Sequence, residues 1–106
     1  MRPIAVVTTI GTREEALALA RALVERRLAA CAQVSAIESV YRWQGAVQHE
    51  PEWRVLVKTT DARYAAVEAA IRALHSYALP AIHALAFEQI EPAYAAWVID
   101  NSDAQV

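Results

Sequence analysis

The sequence is poor in the residues that most often build dedicated chemistry. It has one cysteine, two glycines and one lysine, and no apolar run long enough to span a bilayer. One cysteine excludes an internal disulfide, so the cytoplasm is the expected compartment. Gly11 and Gly45 are isolated, which excludes a glycine-rich phosphate loop. There is no nucleophile elbow and no Cys/His neighbourhood, so the expectation is a protein that is not an enzyme. A net charge of −2 and a pI near 5.9 argue against a general nucleic-acid binder. The opening Met-Arg-Pro-Ile-Ala-Val-Val runs straight into strand-like residues, so no signal peptide is expected.

What is present suits one domain over residues 1–106, with 101–106 expected as a loose tail. Hydrophobic residues make up 57% of the chain, and alanines in helical stretches account for much of the excess. Ile4 to Thr9 is a β-branched run and predicts a buried strand. Thr12-Arg13-Glu14-Glu15 fits a capping box, followed by Leu17, Ala20, Leu23, Val24 and Leu28 at helical spacing. A strand is predicted over Ala30–Trp43, then a turn at Gln44-Gly45, with a longer loop through Glu50-Pro51 as the alternative. A return strand follows over Glu52–Thr59. Thr60-Asp61 predicts the cap of a second helix with Tyr64, Val67, Ile71 and Leu74 on one face. Ala81–Glu88 reads as a fourth strand, and Pro92 as the first residue of a short last helix. The fold class is α+β: a ferredoxin-like βαββαβ unit with a long hairpin between the second and third strands and a short C-terminal helix.

The second strand is longer than such a domain needs. Fourteen uninterrupted residues reach about 45–50 Å, whereas a domain of this size is only about 33 Å across. Tyr41 and Trp43 share one face at its tip. Cys31, Ile37, Tyr41 and Trp43 lie at one parity and Ala32, Val34 and Val40 at the other, so both faces carry apolar residues. Two helices cover one face of such a sheet; the other is expected to pack on a partner subunit. Tyr41, Trp43 and Trp53 are the candidate interface residues.

Candidate ligands are few. Cys31, His49, His75 and His83 are the side chains suited to a soft or borderline metal, and none is closely paired. Cys31, His75 and His83 form the candidate metal set, with copper or another divalent cation as the ion. The alternative for Cys31 is a small buried hydrophobe, and for His75 a helix C-cap. Lys58 stands at a strand end before Thr59-Thr60-Asp61; with His75 and Tyr77 it forms the candidate set for a small anionic ligand. Glu50 and Glu52, flanking Pro51, read as a solvated hairpin base.

Together, Thr8-Thr9, Leu28-Ala29-Ala30-Cys31, Ser39-Val-Tyr-Arg-Trp-Gln-Gly45, Lys58-Thr59, His75-Ser76-Tyr77, Pro80, Tyr94 and Trp97 resemble the CutA divalent-cation tolerance family. The resemblance runs from about Ile4 to Val98. It implies a cytoplasmic homotrimer similar in architecture to PII-type signalling proteins, without attachment to membrane or nucleic acid. It also implies a role in response to metal ion, with copper binding in some members and no established reaction. The alternative it leaves open is a PII-like sensor holding an anionic ligand in the intersubunit cleft. Two positions depart from the family pattern. Ser76 stands where a proline is usual, and Ala81 where a glutamate is usual.

Overall fold

The computed structural model describes residues 1–102. Four strands and three helices follow one another: β1 (Pro3–Ile10), α1 (Arg13–Glu25), β2 (Cys31–Trp43), β3 (Ala46–Thr60), α2 (Tyr64–Leu74), β4 (Ile82–Ala86) and α3 (Pro92–Asn101). The strands form one antiparallel sheet in the order β2-β3-β1-β4. This is the expected ferredoxin-like arrangement.

Val6, Val55 and Val57 are fully buried beneath α1 and α2, with Ala32 and Val34 packed against them. The register places these residues on one face of the sheet: Val6 and Ala32 both stand opposite Val57, and Val34 opposite Val55. The stripe that α1 buries is Ala16, Leu19, Ala20 and Leu23. Leu17 and Val24, expected in that stripe, are exposed. Alanine explains the rotation, because two small residues let the helix sit close to the sheet and larger ones would hold it away.

Termini of the helices show what local sequence can specify. The Thr12 hydroxyl accepts from Glu15 N–H at 3.1 Å and donates to the Glu15 carboxylate at 3.0 Å, so the N-terminus of α1 is capped as predicted. Its C-terminus closes without glycine. Arg27 takes φ 59°, Leu28 N–H donates to Leu23 O and Arg27 N–H to Val24 O, which is a Schellman closure. The Thr60 cap is not made: its hydroxyl is buried without a partner, and a 3-10 turn over Asp61–Arg63 precedes α2. Asp61 instead accepts from Arg2 N–H at 3.0 Å, which holds its carboxyl below the usual range. The Glu91 carboxylate caps α3 through Ala93 and Tyr94 N–H.

The return strand begins at Ala46, not Glu52, and runs straight through Pro51. Beyond Trp53, β3 has β2 on one side and nothing on the other, so a residue without an N–H is tolerated there. Gln44 and Gly45 take φ 51° and 81°, the left-handed pair of a two-residue hairpin loop closed by Trp43 opposite Ala46. The hairpin therefore projects well past the body, and the molecule measures 44 × 27 × 21 Å. The last strand is shorter than expected, Ile82–Ala86. Asn101, expected in the tail, belongs to α3, and Ser102 is buried with its hydroxyl donating to Val98 O at 2.7 Å. The remainder of the expected tail lies outside the described residues.

Helix α3 lies on the face opposite α1 and α2. Its Tyr94 meets Cys31 and Lys58, which are cross-strand partners on that face. It covers the end of the sheet around Cys31 and leaves the hairpin end open. There Trp43 is 45% exposed, and on the other face, beyond α1 and α2, Val40 and Val47 are more than 60% exposed.

Candidate functional site

A cleft of about 950 Å³ opens on the uncovered face, between the hairpin and the segment that follows α2. Its floor is built from alternate residues of two strands. Ser39 stands opposite Glu50, with Tyr41 two residues further along β2 and Glu52 two residues along β3. Its wall is residues 77–81, running from Tyr77 to Ala81.

His75 holds that wall in place. Its Nε2–H donates to Thr9 O at 2.7 Å, and its Nδ1 accepts from Tyr77 N–H at 3.0 Å. A carbonyl only accepts and an amide N–H only donates, so the pair selects one neutral tautomer. The Tyr77 ring lies 4.8 Å from the His75 ring and its hydroxyl donates to Glu52 Oε2 at 2.8 Å. Burial and the adjacent Glu52 carboxylate push the Tyr77 phenol far above its ordinary value. The Tyr77 ring packs beside Gly11, where a Cβ would meet Tyr77 Oη at 3.4 Å, an ordinary van der Waals contact. Ser76 is also engaged: its hydroxyl, and then the Thr12 hydroxyl, hold Glu15 below its ordinary value of 4.5.

Glu52 corrects the sequence expectation. It is only 8% exposed, far from a solvated hairpin-base residue. Glu50 is exposed and accepts from the Tyr41 hydroxyl at 3.4 Å, while Glu38 on the other parity bonds His49 at 2.9 Å. No sequence motif marked this cleft. The signal that was available is the spacing of Glu50, Glu52 and Tyr41 on one strand face, close to an aromatic loop.

The candidate metal residues are dispersed within one chain. Cys31 Sγ lies 3.7 Å from Tyr94 Oη, and the Lys58 ammonium sits 5.4 Å from the Tyr94 ring centroid, so positive charge stands beside the thiol. His83 is exposed on β4 opposite Val7, on the same face but at the other edge. Three strand spacings and two residues separate Cys31 from His83, roughly 16 Å. Both nitrogens of His75 are engaged as above. No group of three His, Cys, Asp or Glu side chains among the described residues is placed to hold a metal ion. The anionic-ligand set divides too: Lys58 stands opposite Ala5, four residues and about 13 Å along β1 from the Thr9 carbonyl that His75 bonds. Of the interface candidates, Tyr41 and Trp43 line the cleft, whereas Trp53 packs against the core.

Fold and cleft together define a class: a ferredoxin-like domain whose central hairpin overruns its body and shapes a site on the open face. Within that class the chain belongs to the CutA1 divalent ion tolerance family, whose sequence profile matches residues 4–101. The divalent-cation tolerance protein CutA of Thermus thermophilus is 40% identical over 98 residues, 92% of this chain and 95% of that one. A probable CutA homologue of Encephalitozoon cuniculi is 36% identical, covering 92% of this chain and 85% of its own. Among solved structures, the periplasmic divalent cation tolerance protein CutA of Archaeoglobus fulgidus superposes with a TM-score of 0.92 at 30% identity, over 95% of this chain and 99% of that one. CutA1 of Thermus thermophilus superposes with a TM-score of 0.91 at 37% identity, over 95% of this chain and 99% of that chain. No helix among the described residues is long and apolar enough to cross a membrane.

Proposed function

We propose that this chain is a non-catalytic, cytoplasmic homotrimer of divalent-cation tolerance, taking part in the response to metal ion by binding copper or another divalent cation weakly. The observation that carries the reading is the half-covered sheet. α3 shields one end of the open face, while the hairpin end presents Trp43 to solvent there, with Val40 and Val47 exposed on the other face beyond the helices. Both outer strands, β2 and β4, also keep one unpaired edge. A head-to-tail ring closes such edges without fibre growth. It also accounts for the dispersed metal candidates, since Cys31 lies on one edge strand and His83 on the other. Residues a sheet-width apart in one protomer become neighbours when β2 of one copy meets β4 of the next. A PII-like anion site from Lys58, His75 and Tyr77 would likewise need two protomers.

Calorimetric titration of the metal-free protein with Cu²⁺ and Zn²⁺ tests the cation reading. Cys31→Ser and His83→Ala are expected to weaken Cu²⁺ binding, and unchanged affinity in both would remove the named ligands. Assembly is tested by sedimentation over a dilution series. Trp43 is 45% exposed in one chain. Covering that part, about 110 Å² of a ring system of about 250 Å², contributes roughly 3 kcal/mol per protomer. Trp43→Ala should therefore shift dissociation to much higher concentration. A stable monomer in the unsubstituted protein would refute the trimer.

A further inference from the structure

A histidine ligates a metal ion through a ring lone pair that nothing else uses. The neutral His75 tautomer has one such lone pair, on Nδ1, and the Tyr77 N–H donates to it at 3.0 Å. Nε2 carries the proton and donates to Thr9 O at 2.7 Å. A metal-bound histidine also donates its far N–H to a carbonyl or carboxylate. His75 therefore has the outer half of such an arrangement, with a backbone amide where the ion would stand. Nothing around it makes up the difference. Among the described residues no group of three His, Cys, Asp or Glu side chains is placed to hold a metal ion. Glu15, the acid that meets this segment from α1, is already bonded to the Thr12 and Ser76 hydroxyls. Glu52 meets it through the Tyr77 hydroxyl.

The same bonds make a mechanical connection. β1 pairs with β3 as far as Ile10 opposite Trp53, so Glu52 is the first residue of β3 beyond the end of β1. From that point the hairpin has only its own two strands. β4 pairs with β1 as far as Thr8 opposite Ile82, one residue short of Thr9. His75 takes the first β1 carbonyl past the β4 ladder, and Tyr77 takes the first β3 side chain past the β1 ladder. The His75 backbone is pinned as well, because its N–H donates to Ile71 O at 2.9 Å at the end of α2. The imidazole and phenol rings stand 4.8 Å apart, and the carboxylate at the far end of the connection is buried.

We infer that His75 in this chain is a positioning residue and not a metal ligand: through Tyr77 and Glu52 it braces the root of the β2–β3 hairpin against the end of β1. The brace sets the angle at which the overhanging hairpin leaves the body. Its consequence for assembly rests on the trimer proposed above, where that angle fixes the place at which Trp43 meets a sister chain.

Hydrogen exchange on the protein as purified tests the brace, and calorimetric titration of the metal-free protein with Cu²⁺ tests the ligand role. His75→Ala should speed exchange at the Tyr77 amide and across residues 50–54 by at least about tenfold. Tyr77→Phe keeps the amide that His75 accepts from and removes the hydroxyl, so it should speed residues 50–54 and spare the Tyr77 amide. His75→Asn keeps an acceptor for an N–H two residues on and removes the imidazole, and it serves should His75→Ala not fold. It should restore much of the Tyr77 protection. It should also leave Cu²⁺ affinity within about twofold of the parent, since even an outer partner of a bound metal counts for about 10–100-fold. Unchanged exchange over residues 50–54 in both His75→Ala and Tyr77→Phe would overturn the brace. A loss of about tenfold or more in Cu²⁺ affinity in His75→Asn would overturn the exclusion of metal. So would Cu²⁺ stripping protection from the Tyr77 amide in the parent. A parent without Cu²⁺ affinity would remove the copper reading above and agree with this one. A monomeric parent would refute the trimer, with the exchange pattern still deciding the brace.

Discussion

Replacing Tyr77 with phenylalanine removes one oxygen and leaves the ring beside Gly11 and His75 in place. The lost group is the donor to Glu52 Oε2, a 2.8 Å contact to a carboxylate that is 8% exposed. Hydrogen bonds to charged groups contribute about 1.5–3 kcal/mol. Tyr77 itself is 38% exposed, so water can take part of the vacated position and the lower end applies. A loss of about 1.5 kcal/mol is expected. With about 2.1 cal/mol/K of unfolding entropy per residue, that lowers Tm by roughly 7 °C. The assay is urea unfolding at fixed protomer concentration, because assembly adds to apparent stability. Glu52→Gln supplies the second corner of a double-mutant cycle. In that background the same Tyr77→Phe change loses a neutral hydrogen bond and should cost only about 0.5–1 kcal/mol. A Tyr77→Phe protein within about 0.3 kcal/mol of the parent would refute the role given to the buried carboxylate. So would an identical loss in both backgrounds.

Ser76→Ala should raise the Glu15 carboxyl toward its ordinary 4.5, read by NMR titration, because the Ser76 hydroxyl is the main cause of its depression. The sign follows from a folded value below the unfolded one. The stabilisation is present above about pH 4.5 and is lost as pH falls through the folded value, so the variant should show a weaker acid dependence there. Thr8→Val should stabilise the protein by about 1 kcal/mol in urea unfolding, since it replaces a fully buried hydroxyl that has no partner with a methyl of the same shape. A destabilised Thr8→Val protein would show that the hydroxyl has an unseen partner.

Features set by near neighbours were legible in the sequence. The Thr12–Glu15 capping box, the Gln44-Gly45 turn and Pro92 at the start of α3 each depend on residues within one turn. The strand order followed from the alternation of elements. What escaped depends on neighbours far along the chain. Pro51 reads as a strand breaker until β1 is seen to end beside Trp53, leaving that flank of β3 unpaired. Glu52 reads as solvated because its cover, Tyr77, arrives from a loop after α2. The Thr60 cap failed because the Thr60 side chain is buried and Arg2 holds Asp61 from outside the helix. The separation of Lys58 from His75 was legible too, because one ends the strand before α2 and the other leaves that helix at its far end.

The hairpin also bears on the order in which the chain acquires structure. β2 and β3 pair through a two-residue loop, so this element is complete once the chain has reached Thr60. The core sheet waits longer, because β1 must capture β4 from more than seventy residues away. Hairpins close in about 1–10 μs, whereas contacts distant in sequence come late. During synthesis the exposed hairpin is therefore finished before the fold that carries it. Newly made chains on one messenger would meet with their hairpins ready and their β1 edges bare. In the trimer proposed above, assembly and tertiary closure become partners in time, and slow elongation past Leu74 would favour exchange between nascent copies.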